Sequence, residues 1–423
     1  MRASTIIAAT LPLAAAKVSY DGFKAFSIDS HDNFDAVEAS LAGLNYVSLS
    51  CQDDHDHLDV AIAPEDLAAF EALNLDAKVT FEDFGAELAA EGEFESYTAT
   101  RKIKGRSAQD LPDLSYFNSY HELEDHHQYL EDLHAAFPDN SEIYTAGESL
   151  EGRPIKGIHL WGRDGPGKHE AIIWHGTVHA REWIVAPTVE YMTYKVIDGY
   201  KKRACSSVRT LDNYDFYIMP IVNPDGFVFT YTENRLWRKN RQVRTGASCI
   251  GTDINRNWPY KWDVPGGSST NPCSETYRGL APGDTPEMQV LTNHTLGLSR
   301  TTGIKFFVDW HAFSQLIMLP YGYSCTEVAA NNDYQMKLAA GVNEAIKSVN
   351  GLNFVFGPTC PTIYQTSGVS MDWAYDVANA ELSWGFELRP ANLAQGGFVL
   401  PPSQILPSGE ENWAGMKWLF ANF

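Results

Sequence analysis

Apolar, β-branched and aromatic residues cluster in four runs of the later chain: EAIIWHG (170–176), DFYIMPIVN (215–223), IKFFVDWHA (304–312) and WGFELR (384–389). Each predicts a strand with a buried face. Runs with helical spacing of apolar residues separate several of them: EWIVAPTVEYMTYKVIDGY (182–200), TPEMQVLTNHTLGLS (285–299) and YQMKLAAGVNEAIKSVN (334–350). This alternation predicts an α/β unit with a largely parallel sheet over residues 113–423.

The earlier chain has a finer pattern. KAFSID (24–29), NYVSLSC (45–51), HLDVAIA (57–63) and DAKVTFEDF (76–84) read as strands, with NFDAVEASLAG (33–43) and PEDLAAFEALN (64–74) as helices between them. The order is βαββαβ, the split-βαβ or ferredoxin-like arrangement. GAELAAEGEFESY (85–97) predicts a further helix leading to a basic connector, RKIKGR (101–106). The start, MRASTIIAATLPLAAA, predicts a secretory leader cut after Ala16. The expected units are thus a leader (1–16), a small domain with its connector (17–112) and a large domain (113–423).

Charge sharpens this division. The 423 residues carry a net −22, which argues against nucleic acid and anionic membrane surfaces as partners. Residues 17–100 hold three lysines and no arginine against 19 acidic residues, a balance of −16. An acidic unit, a basic connector and a large remainder suggest a pro-domain, an activation site and an enzyme. His55 and His57, in CQDDHDHLD, read as part of a solvated acidic turn. No run after the leader is long and apolar enough to span a bilayer, so the expected location is extracellular.

The candidate chemistry sits in WHGTVHAREWIV (174–185). His175 and His179 are four apart, as in a helical HExxH zinc motif, but Gly176 stands where that motif needs its glutamate. The strand ends near His175 and the helix starts after it, so these two histidines straddle a loop. His179 and Glu182 remain as a close pair at the helix start. His311 closes the strand IKFFVDWHA, and ligands in open α/β sheets gather beyond the carboxyl ends of strands. Two imidazoles and one carboxylate with an open position describe a catalytic zinc, and suit calcium poorly.

HGTVHAREWI, IVNPDGF, NRLWRKNR, GTDINRNW, NPCSETYRG, TIYQTSG and FELR occur in this order. Together they resemble the zinc metallocarboxypeptidases of the pancreatic A/B type, and above all the secreted fungal metallocarboxypeptidase A branch, made as a zymogen. The resemblance implies a mixed eight-stranded sheet flanked by helices, preceded by the small ferredoxin-like pro-domain. It implies one Zn2+ per chain held by His179, Glu182 and His311. It puts the catalytic base at Glu387 and the substrate-polarising arginine at Arg238. Asn255 and Arg256 would bind the substrate's terminal carboxylate, with Tyr364 closing over it and Arg181 as a further contact. Asp253 would orient the first zinc histidine. Disulfides would join Cys249 to Cys273 and Cys325 to Cys360, while Cys51 and Cys205 have no implied partner.

Strand alternation agrees with the role of Glu387. Gly385, Glu387 and Arg389 should face one side, with Trp384, Phe386 and Leu388 on the other. Without the resemblance, Glu387 reads as a strand glutamate paired with Arg389. The family's pocket floor falls on Met371, with Thr366 and Gly385 shaping the walls and Asp372 pointing away. An uncharged floor implies release of aliphatic or aromatic C-terminal residues. The expected partners are peptide or protein C-termini and an activating trypsin-like protease, with the chain itself a monomer. Two other readings stay open: a catalytically silent secreted binding protein on this fold, and a zinc deacylase of amino-acid amides.

Overall fold

The computed structural model describes residues 17–30, 33–50, 57–107 and 109–423. The expected leader, Cys51 and His55 therefore lie outside the described residues. The first sheet has four antiparallel strands, β1 (Lys24–Asp29), β2 (Tyr46–Ser48), β3 (His57–Ile62) and β4 (Ala77–Phe81), in the order β2-β3-β1-β4. With the helices Phe34–Ser40 and Leu67–Ala72 interposed, this is the split-βαβ order. Phe26, Ile28, Leu58, Val60 and Phe70 form its core. The helix expected over 85–97 is shorter, Phe84–Ala90. Gly92, at φ +85°, ends it, and the chain runs on extended.

The second sheet has eight strands: β5 (Ser141–Glu148), β6 (Pro154–Leu160), β7 (Glu170–Gly176), β8 (Tyr214–Met219), β9 (Ile304–Ala312), β10 (Leu316–Leu319), β11 (Val355–Pro358) and β12 (Leu382–Leu388). Their order is β11-β10-β12-β9-β7-β8-β6-β5. The central β12, β9, β7 and β8 are mutually parallel. Antiparallel pairs flank them, β10 against β12 on one side and β6 against β8 and β5 on the other. The sheet is therefore mixed, and the parallel part read from the sequence is its centre.

Alternation divides each central strand between two cores. Ile172, Trp174, Phe306, Val308, Trp310, Trp384 and Phe386 pack under the helices Val185–Lys201, Asn332–Asn350 and Ile405–Phe420. Ala171, Ile173 and Phe307 face the opposite layer, with Met288, Leu291, Trp258 and Trp373. This second face continues to the strand ends as His175, Asp309, His311, Gly385 and Glu387. Register then places Glu387 directly beside His311, and His175 beside Asp309 two pairs further back. The fold thus brings the polar residues of three strands to one edge of one face.

Two helical glycines give opposite expectations. A Cβ on Gly341 would lie 2.0 Å from the Trp418 ring, where the Asn332–Asn350 helix meets the C-terminal helix. A Cβ on Gly297 would meet nothing within 4 Å. Gly341→Ala should lower stability by about 1–3 kcal/mol through overpacking. Gly297→Ala should raise it by up to about 1 kcal/mol through helix propensity. Urea-denaturation midpoints measure both, and a stabilised Gly341→Ala would contradict the packing described.

Candidate metal centre and active site

Gly176 ends β7 where a Cβ would come within 2.7 Å of the Pro220 carbonyl oxygen, so a side chain there would block the turn. The chain then loops through 177–184 before the Val185–Lys201 helix begins. His179 and Glu182 lie in this loop, not on the helix, joined by a turn in which Glu182 N donates to His179 O at 3.2 Å. His179 Nδ1 is 2.7 Å from Glu182 Oε1. His311, from the end of β9, brings its Nδ1 to 3.1 Å from His179 Nδ1 and 3.4 Å from Glu182 Oε2. All three side chains are buried, with one ligand atom from each within 4.8 Å of the others.

The outer ring nitrogens explain this convergence. His179 Nε2 faces Asp253 Oδ1 at 3.1 Å, and His311 Nε2 faces Asp309 Oδ2 at 3.2 Å. An N–H donated outward to each carboxylate leaves both Nδ1 atoms as lone-pair donors beside an ionised carboxylate. Three such atoms around one point need a cation, and this mixed nitrogen and oxygen set fits zinc. Asp253 is buried, which alone would raise its pKa. Arg238 and His179 outweigh burial and hold it well below the usual carboxylate range. Asp309 was not foreseen as a partner of His311; its signal was the D-W-H spacing, which puts residues 309 and 311 on the same strand face.

His175 is not part of the cluster. Its ring lies against Phe307 and Trp258, and neither nitrogen has a hydrogen-bond partner among the described residues. Burial depresses its pKa to about 4, which keeps it neutral.

Around the three converging residues is a small cavity lined by Arg238, Asn255, Arg256, Tyr364, Met371 and Glu387. Glu387 is buried, and its Oε2 has no hydrogen-bond partner among the described residues. Burial pushes its pKa well up. Arg389 does not share that face: β12 ends at Leu388, and the guanidinium turns to Glu411 and Gln404. Arg238 donates to Asp253 Oδ2 from Nη2 at 2.9 Å and Nε at 3.2 Å. Asp253 also accepts from Asn255 N at 2.9 Å, opening the short Ile254–Arg256 turn. Arg256 Nη2 donates to Tyr364 Oη at 3.1 Å.

The cavity floor is apolar. Met371 Sδ accepts from the Thr359 hydroxyl at 3.1 Å. A Cβ on Gly385 would lie 2.9 Å from Met371 Cε and 3.1 Å from Met318 Cε, so the glycine makes room for both thioethers. Thr366, Ile363 and Val369 complete the walls, and Asp372 points away, to the N–H groups of Gly322 and Tyr323. Met318, Ile363 and Val369 were not singled out in the sequence, because they come from three separate segments.

Arg181 stands apart from this cavity. Its Nη1 donates to Ser48 O at 3.1 Å and its Nη2 to Ser50 O at 3.0 Å, so the small domain's backbone engages it. Its guanidinium also lies 4.2 Å over the Phe398 ring. Cys249 is bonded to Cys273 and Cys325 to Cys360, as implied, and Cys205 is exposed.

Comparison with known proteins agrees with this geometry. The zinc carboxypeptidase family profile matches residues 126–415. A metallocarboxypeptidase A-like protein of Trichophyton verrucosum is 45% identical over 86% of this chain and 85% of its own length. Metallocarboxypeptidase A of Arthroderma otae is 42% identical over 98% of this chain and 95% of its own. The crystal structure of thrombin-activatable fibrinolysis inhibitor superposes with a TM-score of 0.82 at 25% identity, covering 95% of this chain and 98% of that one. The matched segment carries His179, Glu182 and His311 together, and with that the chain belongs to the zinc carboxypeptidase family and is a metallocarboxypeptidase.

Proposed function

We propose that this metallocarboxypeptidase is the precursor of a secreted A-type exopeptidase that removes hydrophobic or aromatic C-terminal residues. The observation that carries the reading is the uncharged thioether floor of Met371 and Met318, set below Arg256 and beside the metal centre. Arg256, with Tyr364 at its guanidinium, is placed to hold a terminal carboxylate, and Asn255 lies next to it. A carboxylate anchored there directs the last side chain to the Met371 floor. One zinc, held by His179, Glu182 and His311, would supply Lewis acidity at the scissile carbonyl and acidify water. Glu387, on the cavity lining beside His311, accepts a proton from the attacking water and delivers it to the leaving amine. Arg238, fixed by Asp253, stabilises the developing oxyanion.

The small domain supports the precursor reading. Ser48 and Ser50 occupy Arg181, Tyr20 Oη donates to Asn234 Oδ1 at 2.7 Å, and Glu91 forms a buried pair with Arg235. An arginine held by these carbonyls is not open to substrate. Cutting within 101–106 by a trypsin-like protease would separate residues 17–100 from the enzyme. Lys102 and Lys104 are exposed, as that cut requires. The expected leader at 1–16 and two disulfides fit an extracellular enzyme acting on peptide C-termini.

The direct test is amino-acid release from matched Leu-, Phe- and Lys-ended peptides, before and after limited trypsin digestion. Release of Leu and Phe that rises on digestion is expected. An undigested chain as fast as the digested one removes the zymogen reading, and preference for Lys removes the A-type reading.

Glu387→Gln should keep bound zinc but lose roughly 10²–10⁴-fold in kcat. His179→Asn should lose tightly bound zinc, while His175→Asn should retain it. Metal analysis of the purified variants reads both histidine expectations, and the reverse pattern would exchange their roles.

Met371→Asp should shift preference from Leu or Phe toward Lys or Arg. A carboxylate on this floor is costly alone, pairs with a substrate cation, and is left unpaired by an apolar side chain. The measurement is the ratio of kcat/KM for Phe- and Lys-ended peptides; an unchanged ratio would mean that Met371 is not the floor.

A further inference from the structure

The Ser370–Asp376 helix turns Met371 into the cavity and Asp372 to its other side. Asp372 is buried. Gly322 N is 3.0 Å from each of its oxygens, and Tyr323 N donates to Oδ2 at 3.1 Å. The same turn grips the next wall. Gly322 O accepts from Thr366 N at 2.9 Å, and Tyr323 O accepts from Gln365 Nε2 at 3.0 Å. A Cβ on Gly322 would lie 2.1 Å from Thr366 Oγ1, so turn and segment pack without a gap. Met318 stands on β10 just before this turn, and Tyr364 and Thr366 on the segment after it. One carboxylate therefore ties together three walls of the cavity.

We propose that Asp372 is a positioning residue for terminal side-chain recognition: its ionised carboxylate holds the Gly322–Tyr323 turn, and through it the Tyr364–Thr366 segment, against the helix that bears Met371. This inference rests on the exopeptidase reading above. An ionised carboxylate accepts at both oxygens, whereas a protonated one sets a hydroxyl against an N–H and loses part of the set. Burial pushes Asp372 up to about 7; the Gly322 and Tyr323 N–H groups oppose the rise and Asp376 adds to it. Asp376 itself accepts from Tyr260 Oη at 2.6 Å and Tyr321 Oη at 3.0 Å. Across the turn, Glu327 accepts from Tyr323 Oη at 2.9 Å, and Lys261 Nζ lies 4.5 Å over the Tyr323 ring. The tie is thus complete above about pH 7 and loosens below it.

The test compares KM for a Leu-ended and a Gly-ended peptide from about pH 5.5 to 8.5, which brackets the titration. It uses the full chain after limited digestion, as wild type and as Asp372→Asn. A terminal glycine offers these walls no side chain, so the ratio of the two KM values cancels titrations that both substrates share. In wild type the Leu/Gly ratio should rise roughly three- to ten-fold as pH falls through neutrality, the loss expected from part of a charged hydrogen-bond set. The ratio of kcat values should stay level. Asp372→Asn should show the raised ratio at every pH. A pH-independent wild-type ratio overturns the proposal, and this arm decides even where the variant fails to fold. Cleavage of neither peptide overturns the exopeptidase reading and this proposal with it.

Discussion

The buried carboxylate of Asp253 joins the parts of the site that sequence separates most widely. One oxygen meets His179 Nε2, the other meets Arg238, and Asn255 N donates to the first. The imidazole of His179, the guanidinium of Arg238 and the start of the Ile254–Arg256 turn thus share one anion. Burying that charge costs several kcal/mol unless it is paired. Arg238 and His179 pair it, and their attraction keeps it ionised against the cost of burial. The arrangement is reciprocal: removing the carboxylate would leave a buried guanidinium without its partner and an imidazole without its orientation. Asp309 does the same for His311 on β9. The metal side of the site is therefore a closed set of charge pairs with little freedom to drift.

What was legible in the sequence divides along the range of the forces involved. β7 and β9 match the runs EAIIWHG and IKFFVDWHA residue for residue, because fully buried parallel strands are continuously apolar. The hairpin β5–β6 was not read, since SEIYTAGE and PIKGIHL mix polar and apolar residues without clean alternation. β10 and β11, four residues each, are too short to show a period. The helix expected over 85–97 stopped early because Gly92 adopts positive φ and Glu91 turns to a distant arginine, a contact that no local pattern predicts. Within the site, the three converging residues were legible from type and spacing, whereas Asp309 was passed over although it sits two residues from His311. Alternation extended one residue past the end of the strand puts Arg389 on the Glu387 face, whereas its Glu411 partner lies on the C-terminal helix.

Charge composition suggests a division of the chain but says little about the chemistry of the contact. The balance of −16 over 17–100 suggests acidic side chains docking on arginines. At Arg181 the small domain instead supplies neutral backbone carbonyls, of Ser48 and Ser50, while Glu275 of the large domain lies 3.6 Å from Nη1. Glu91 does supply an ion pair, with Arg235, and there the guanidinium also stacks on Trp183 at 3.6 Å and donates to the carbonyls of Arg181 and Phe398. Two neighbouring arginines are thus engaged by different means. Carbonyls satisfy a guanidinium without adding a charge that must itself be desolvated, which suits a contact at the edge of a cleft. A fully buried pair such as Glu91–Arg235 fixes geometry but is costly to break from one side only. The small domain's hold on the large one therefore combines a few directional contacts with a shared apolar cluster, in which Tyr20, Leu49 and Phe84 pack with Leu236, Leu393 and Val399.

The two halves of the site differ in what they can tolerate. On the metal side His179, Glu182, His311, Asp253 and Arg238 each have a charged partner, so a substitution among them leaves an unpaired charge in a buried setting. On the pocket side the walls come from β10, the 359–366 segment and the Ser370–Asp376 helix, and the floor is made of two thioethers. Methionine has three rotatable bonds and no fixed shape, so this floor can repack around different apolar side chains. Gly385 leaves the space that such repacking needs, because any Cβ there would press on both methyl groups. The frame of this half is held by hydrogen bonds through Asp372 and the Gly322–Tyr323 turn, and on the lining the Thr359 hydroxyl donates to Met371 Sδ. The frame is thus held by directional hydrogen bonds, whereas the lining is made largely of thioether and aliphatic groups.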